Sequence, residues 1–273
     1  MKSLPVICLC LAASLPGPSE AAGEDSSKTT FDCLIEARQN IDVRSPVEGV
    51  IDRILVQRGD SVKRGELVAT LSSGPEKAAL DLARSRAEMQ GDLKAAQARV
   101  DLTRKKWERA EELQKKNFVS ADARDQAEGE YHLASEQLRA AEENQRLAVL
   151  DMKRAEEVLA QRSIRSPVDG VIVEVLLRPG ELMSSNQKDP IMKIAQIDPL
   201  NVELVLPVRQ FGRITVGQRA EVLPEQPVGG RFAARVEVVD RVIDAASGTF
   251  GVRLRLPNPG NRVPAGVKCK ARF

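Results

Sequence analysis

The sequence predicts an elongated α+β chain of several domains: a small β domain split into two halves, an antiparallel α-helical coiled-coil hairpin inserted between them, and an antiparallel β-barrel after them. Three observations carry this. A β motif occurs twice, a long run of helix-forming sequence lies between the copies, and short apolar strands separated by turn signals fill the remainder.

The 273-residue chain opens with Lys2 and an apolar run from Leu4 to Leu15, bracketed by Pro5 and Pro16. A bilayer span needs about 20 apolar residues, so residues 1–21 read as a secretory signal peptide, cleaved near Ala21 or Ala22. Bulky Ile7 and Leu9 precede Cys8 and Cys10 and weigh against a lipidated cysteine. Export leaves Cys33 and Cys269, which form either one disulfide or two separate buried thiols.

Residues 22–40 contain a strand, Phe31 to Ala37, and a Cys33–Cys269 bond would place it in the C-terminal barrel. The repeat follows. Arg44-Ser45-Pro46-Val47-Glu48-Gly49-Val50-Ile51 recurs as Arg165-Ser166-Pro167-Val168-Asp169-Gly170-Val171-Ile172, and the match runs on to Arg58-Gly59-Asp60 against Pro179-Gly180-Glu181. Gly49 and Gly170 sit inside their strands, where glycine marks a bulge or a close backbone approach. Pro179-Gly180 suits the centre of a type II turn. Each copy closes with a strand, Leu67 to Leu71 and Ile191 to Ile197. Halves this small lack a partner for their apolar faces, so residues 41–73 and 164–197 are expected to form one domain together.

Residues 74–163 separate the halves. From about Pro75 to Lys116 a continuous helix is expected, with a seam through Ala79, Leu82, Arg86, Met89, Leu93, Ala96, Val100, Thr103, Trp107 and Ala110. A second helix, from about Ala121 to Gln161, has the seam Ala127, Tyr131, Ala134, Leu138, Ala141, Gln145, Ala148, Met152, Ala155 and Leu159. Asn117 to Ser120 joins them, with Ser120 as N-cap. At 1.5 Å per residue each arm would be roughly 60 Å long. Residues 198–273 read as a barrel, with strands at Leu200 to Leu206, Arg219 to Leu223, Phe232 to Val239, Phe250 to Leu256 and Val267 to Phe273.

Composition narrows the function. Forty-one basic and thirty-nine acidic residues, interspersed, with 3% aromatics, argue against nucleic-acid binding. One histidine, His132, leaves little room for metal sites or histidine acid–base chemistry. Asp189, Asp240 and Asp244 have no second carboxylate at a spacing for paired acid–base work, and five methionines form no soft-metal cluster. No phosphate-binding glycine loop of the G-x-x-x-x-G-K-(S/T) type is present. No enzyme, cofactor or metal is expected.

Paired R-S-P-V-(E/D)-G-V-I half-motifs interrupted by a helical hairpin resemble the periplasmic adaptor, or membrane fusion protein, of Gram-negative tripartite efflux systems. The resemblance covers nearly all of the chain after the signal and implies a split lipoyl-like barrel-sandwich domain, an α-hairpin and a β-barrel. It implies a non-catalytic periplasmic protein that forms a hexameric ring and bridges an inner-membrane transporter to a TolC-type outer-membrane channel. The transporter would be of the RND type in preference to the ABC type. It also implies a contact trio for the channel: Arg109, Leu113 and Ser120 stand at the family's spacing around the hairpin turn. The alternative for Leu113 and Ser120 is local packing and helix capping.

Two departures stand against the family pattern. The chain reaches Arg272-Phe273 directly after the last barrel strand, so the membrane-proximal domain of many adaptors is expected to be absent or vestigial. Met192-Lys193-Ile194 looks like a biotin-acceptor triplet, yet it lies in a closing strand rather than on a hairpin between the halves. An envelope scaffold without a transporter is the alternative reading, and a biotinyl or lipoyl carrier domain of an enzyme complex ranks below it.

Overall fold

The computed structural model describes residues 30–184 and 190–273; the signal-peptide reading and Asp189 fall outside them. In chain order the elements are β1 (Thr30–Val43), β2 (Gly49–Ile54), β3 (Ser61–Val62), β4 (Leu67–Leu71), α1 (Gly74–Glu88), α2 (Gly91–Lys115) and α3 (Ala121–Ala160). Then come β5 (Ser163–Arg165), β6 (Gly170–Val175), β7 (Leu182–Met183), β8 (Met192–Pro207), β9 (Arg219–Pro224), β10 (Phe232–Val239), β11 (Thr249–Leu256) and β12 (Val267–Arg272). Two compact units result. One comprises Glu36–Asn201 with Pro257–Ala265; the other comprises the described residues up to Ile35, Val202–Leu256 and Gly266–Phe273.

In the first unit the two half-motifs interlock. One sheet has the order β5-β4-β2-β7, while β6 pairs with both β3 and β8. Each half therefore gives a short strand to the other: Gly49 and Val50 lie opposite Met183 and Leu182, and Gly170 and Val171 lie opposite Val62 and Ser61. The hydrogen bonds repeat with the sequence. Ile51 N–H donates to Glu181 O at 2.9 Å and Gly180 N–H to Ile51 O at 2.8 Å; their counterparts are Ile172 N–H to Asp60 O and Gly59 N–H to Ile172 O, both 2.9 Å. The two serines of the repeat each donate to the carbonyl two residues on, Ser45 to Val47 and Ser166 to Val168, at 2.6 Å. The core between the layers includes Ile51, Leu71, Ile172, Met192 and Ile194, all essentially inaccessible. Neither half encloses that core alone, which is why the motif occurs twice.

Arg162, just past α3, ties the helices to this domain. Its guanidinium donates to Glu48 O at 2.7 Å and pairs with Glu76 Oε1 of α1 at 2.6 Å. The side chains are only 21% and 15% exposed. Removing one partner of such a pair leaves a charge without its mate in a dry place. Arg162→Met is expected to cost about 3 kcal/mol, read as a lower urea midpoint by fluorescence of the single tryptophan, Trp107.

The second helix forms as the pattern predicts: of the ten residues on its expected seam, Ala134 is buried and the others are half-buried. The first arm corrects the expectation. It is not one helix but two, interrupted where Met89 adopts an extended backbone (ψ 113°) ahead of Gly91. The predicted seam holds along α2 from Leu93 to Ala110 but fails in α1, where Ala79, Leu82, Arg86 and Met89 are exposed. The face of α1 that packs on α3 contains Leu80 and Ala87 instead. Leu93 follows Ala87 one residue short of a heptad, so an unbroken helix would rotate one of the two faces away from α3. The interruption resets the phase. Arg84 pairs with Glu156 and Lys106 with Glu130, while Trp107 stacks on Tyr131 with ring centroids 5.3 Å apart. Partners descend along α3 as they ascend along α1 and α2, so the arms run antiparallel.

In the second unit the strands follow the sheet order β1-β12-β9-β10-β11-β8. Val202, Leu204 and Leu206 of β8 and Val252, Leu254 and Leu256 of β11 alternate inward and are buried. Two expectations are extended here. β1 continues past Ala37 to Val43, and the separate strands predicted on either side of Asp198-Pro199 are one, β8. Asn258 explains the continuity within the first unit: its N–H donates to Asp198 Oδ1 and its Nδ2 to Ile197 O, both at 2.9 Å, which satisfies the backbone beside the proline. Cys33 and Cys269 are directly opposed across β1 and β12, with Cα atoms 4.8 Å apart, and are disulfide-bonded.

Candidate functional site

Arg109, Leu113 and Ser120 flank the turn between α2 and α3, and the backbone there is fixed from both sides. Phe118 N–H donates to Leu113 O and Asn117 N–H to Gln114 O, each at 2.9 Å, with Asn117 left-handed at φ 58°. This is a Schellman closure of α2, in which Asn occupies the position usually given to Gly. Ser120 then caps α3, its Oγ accepting from Ala123 N–H at 3.2 Å, and Asp122 in the first turn complements the helix dipole.

Arg109 and Ser120 are exposed, and Leu113 is half-buried. Among the described residues Arg109 has no ion-pair partner, whereas Lys115 pairs with Glu111 at 3.2 Å. Arg124, one turn into α3, hydrogen-bonds Asp125 and Glu128; the bond to Asp125, then the charge of Glu128, hold its guanidinium pKa above the ordinary value. Among the described residues the turn thus presents two unpaired cations, Arg109 and Lys116, beside neutralised pairs. Sequence reasoning passed over Phe118, which is 74% exposed and held in place by the Schellman bonds. The available signal was an aromatic in a polar turn of a chain with only 3% aromatics.

Elsewhere, Lys193 lies in β8 opposite Glu174 of β6, 3.5 Å from its carboxylate. His132 is exposed on α3 near Glu128. Asp244 accepts from Ser247 Oγ and Ala246 N–H, and the Ser247 bond foremost holds its carboxyl below the ordinary range. Among the described residues no group of three or more His, Cys, Asp or Glu is placed to hold a metal ion. No helix among them is long and apolar enough to cross a membrane.

Residues 39–196 match the CzcB-like barrel-sandwich hybrid domain, and residues 200–273 match the CusB-like beta-barrel domain. The chain belongs to the membrane fusion, or periplasmic adaptor, protein family. The resemblance read from the paired half-motifs is therefore correct. Adaptor-family relatives include multidrug resistance protein MdtE of Escherichia coli strain K12, 26% identical over 238 residues, covering 83% of this chain and 58% of that one. Cobalt-zinc-cadmium resistance protein CzcB of Cupriavidus metallidurans is 23% identical over 211 residues, covering 77% of this chain and 38% of that one. This adaptor chain thus spans about half the length of such relatives. The crystal structure of MacA from Actinobacillus actinomycetemcomitans superposes with a TM-score of 0.71 at 21% identity, covering 90% of this chain and 78% of that one, and establishes the shared fold.

Proposed function

We propose that this chain is an exported, non-catalytic periplasmic adaptor that bridges an inner-membrane efflux transporter, of the RND type in preference to the ABC type, to a TolC-type outer-membrane channel. It acts as a hexameric ring, with the signal peptide removed and the hairpin arms as a coiled coil. The observation that carries this reading is the rigid hairpin turn, which sets Arg109 and Ser120 in solvent on either side of a closed Schellman–N-cap junction. A stiff pair of helices transmits contact without chemistry, and nothing in the site calls for a substrate. Relatives named for multidrug and for cobalt-zinc-cadmium resistance support export as the general role.

In this reading Arg109, Leu113 and Ser120 touch the channel. Arg109 is an unpaired cation that would meet an acid or a carbonyl, while Ser120 divides its oxygen between the cap and the partner. The test is capture from detergent-solubilised envelopes with the tagged chain, read by mass spectrometry. The unaltered chain is expected to recover an outer-membrane channel and an inner-membrane transporter. Arg109→Asp and Ser120→Arg are each expected to reduce channel recovery at least tenfold and leave transporter recovery unchanged. Recovery of neither protein would favour the scaffold alternative.

A further inference from the structure

One end of the β-barrel unit combines bare aliphatic tips with unpaired arginines. The hairpin loop between β10 and β11 is exposed from Asp240 to Ser247, with Val242 83% and Ile243 38% exposed. The segment after β8 is fastened beside it: Val208 N–H donates to Gly248 O at 2.9 Å, and the Phe211 ring sits edge-on to Phe250 at 5.3 Å. That segment places Val208, 46% exposed, with Arg209 and Arg213 at the same end, and Arg241 precedes Val242 in the loop. Among the described residues Arg209, Arg213 and Arg241 have no salt bridge. The acids of this end are Asp240 and Asp244, and the Asp244 carboxylate is already engaged by Ser247 and Ala246.

We infer that this end of the barrel docks on an anionic phospholipid surface. Val242 and Ile243 are exposed together with Val208 and Phe211 at this end, and grouped apolar surface, unlike a lone exposed side chain, marks an interaction site. Charge complementarity selects the occupant, because unpaired guanidinium groups match the phosphates of acidic headgroups in bidentate fashion. The shape agrees with lipid rather than with a folded partner. Val242 and Ile243 are two exposed side chains on one loop, whereas a stable protein interface needs roughly 800 Å² of complementary surface on each side. Protruding tips of this kind enter the headgroup layer singly, and each nearby arginine adds roughly fivefold to the partition. The loop is stiffened at its base, since Asp244 and Thr249 form a bridge and Asp240 N–H bonds Gly251 O at 2.9 Å. The docking is independent of whether the hairpin turn engages a channel.

The test is sedimentation of the exported chain, its N-terminus fixed by mass spectrometry, with vesicles of phosphatidylethanolamine alone or mixed with phosphatidylglycerol. Binding is expected on the mixed vesicles, weak on the zwitterionic ones, and falling with added salt. The triple variant Arg209→Gln, Arg213→Gln, Arg241→Gln should lower the partition about a hundredfold, and Val242→Ser with Ile243→Ser about tenfold. All substitutions are at exposed positions, and unchanged circular dichroism would show the barrel intact. Binding to neither vesicle, or equal binding by the variants, overturns the inference. Retention only on native inner-membrane vesicles, lost when their proteins are digested, also overturns it and assigns the patch to a protein.

Discussion

Replacing Cys33 and Cys269 by serine is expected to loosen the barrel unit by about 4 kcal/mol. The bond joins residues 236 apart in sequence, and constraint of the unfolded chain over such a loop amounts to about 5 kcal/mol. If the other unit stays folded while the barrel opens, the freed chain runs mainly through Val202–Leu256 and the last strand. The loop is then shorter, which gives the lower figure. Both cysteines are buried, at 8% and 2% exposure, and sit opposite each other in the β1–β12 register, so the serines also bring two hydroxyls into the interior. Hydrogen exchange separates the units. Amides of β1, β12 and β9 should lose about a thousandfold of protection, while the urea midpoint read by Trp107, on α2 in the other unit, should barely move. Unchanged barrel protection would show that hydrogen bonding alone holds β1 in place.

That experiment bears on a bond the sequence offered as one of two alternatives for Cys33 and Cys269, which the strand register decides by setting them opposite each other. Other features were legible for equally local reasons. The α3 seam could be read residue by residue because nothing interrupts its period. The α1 seam could not, because the count was carried across Gly91, a residue costing about 1 kcal/mol in a helix interior and therefore a natural place to break phase. The repeat foretold one domain from two halves, but the role of Arg162 was hidden. It lies outside both copies, and its partners Glu48 and Glu76 become neighbours only after the halves interlock. At the hairpin turn, Ser120 announced its capping role by residue type, whereas Asn117 gave little sign that it would replace glycine in a left-handed position. β8 looked divided because Asp198-Pro199 reads as a stop; what carries the strand through is Asn258, sixty residues away from Asp198.

The repeat glycines should respond unequally to the same substitution. A Cβ on Gly170 would lie 2.5 Å from the backbone oxygen of Ala195 and 2.9 Å from Ile194 Cγ2. Neither can yield easily, because Ala195 and Ile194 belong to β8, which pairs with β6 at these positions. Gly170→Ala is therefore expected to cost about 3 kcal/mol, the upper range for overpacking, by forcing the two strands apart. At the equivalent Gly49 the nearest obstacle is Arg162 Nη1 at 2.6 Å, the end of a flexible side chain. Moving it disturbs the bonds to Glu48 O and Glu76 rather than a sheet, so Gly49→Ala should cost less, about 1 to 2 kcal/mol. The two mechanisms separate in an Arg162→Ala background. There the Gly49 penalty should largely vanish, while the Gly170 penalty should persist in full. Urea midpoints by Trp107 fluorescence for the six chains decide it. Equal penalties at both glycines in both backgrounds would mean that the halves tolerate spreading alike, and that the close approach of β6 to β8 is not what requires glycine in the second copy.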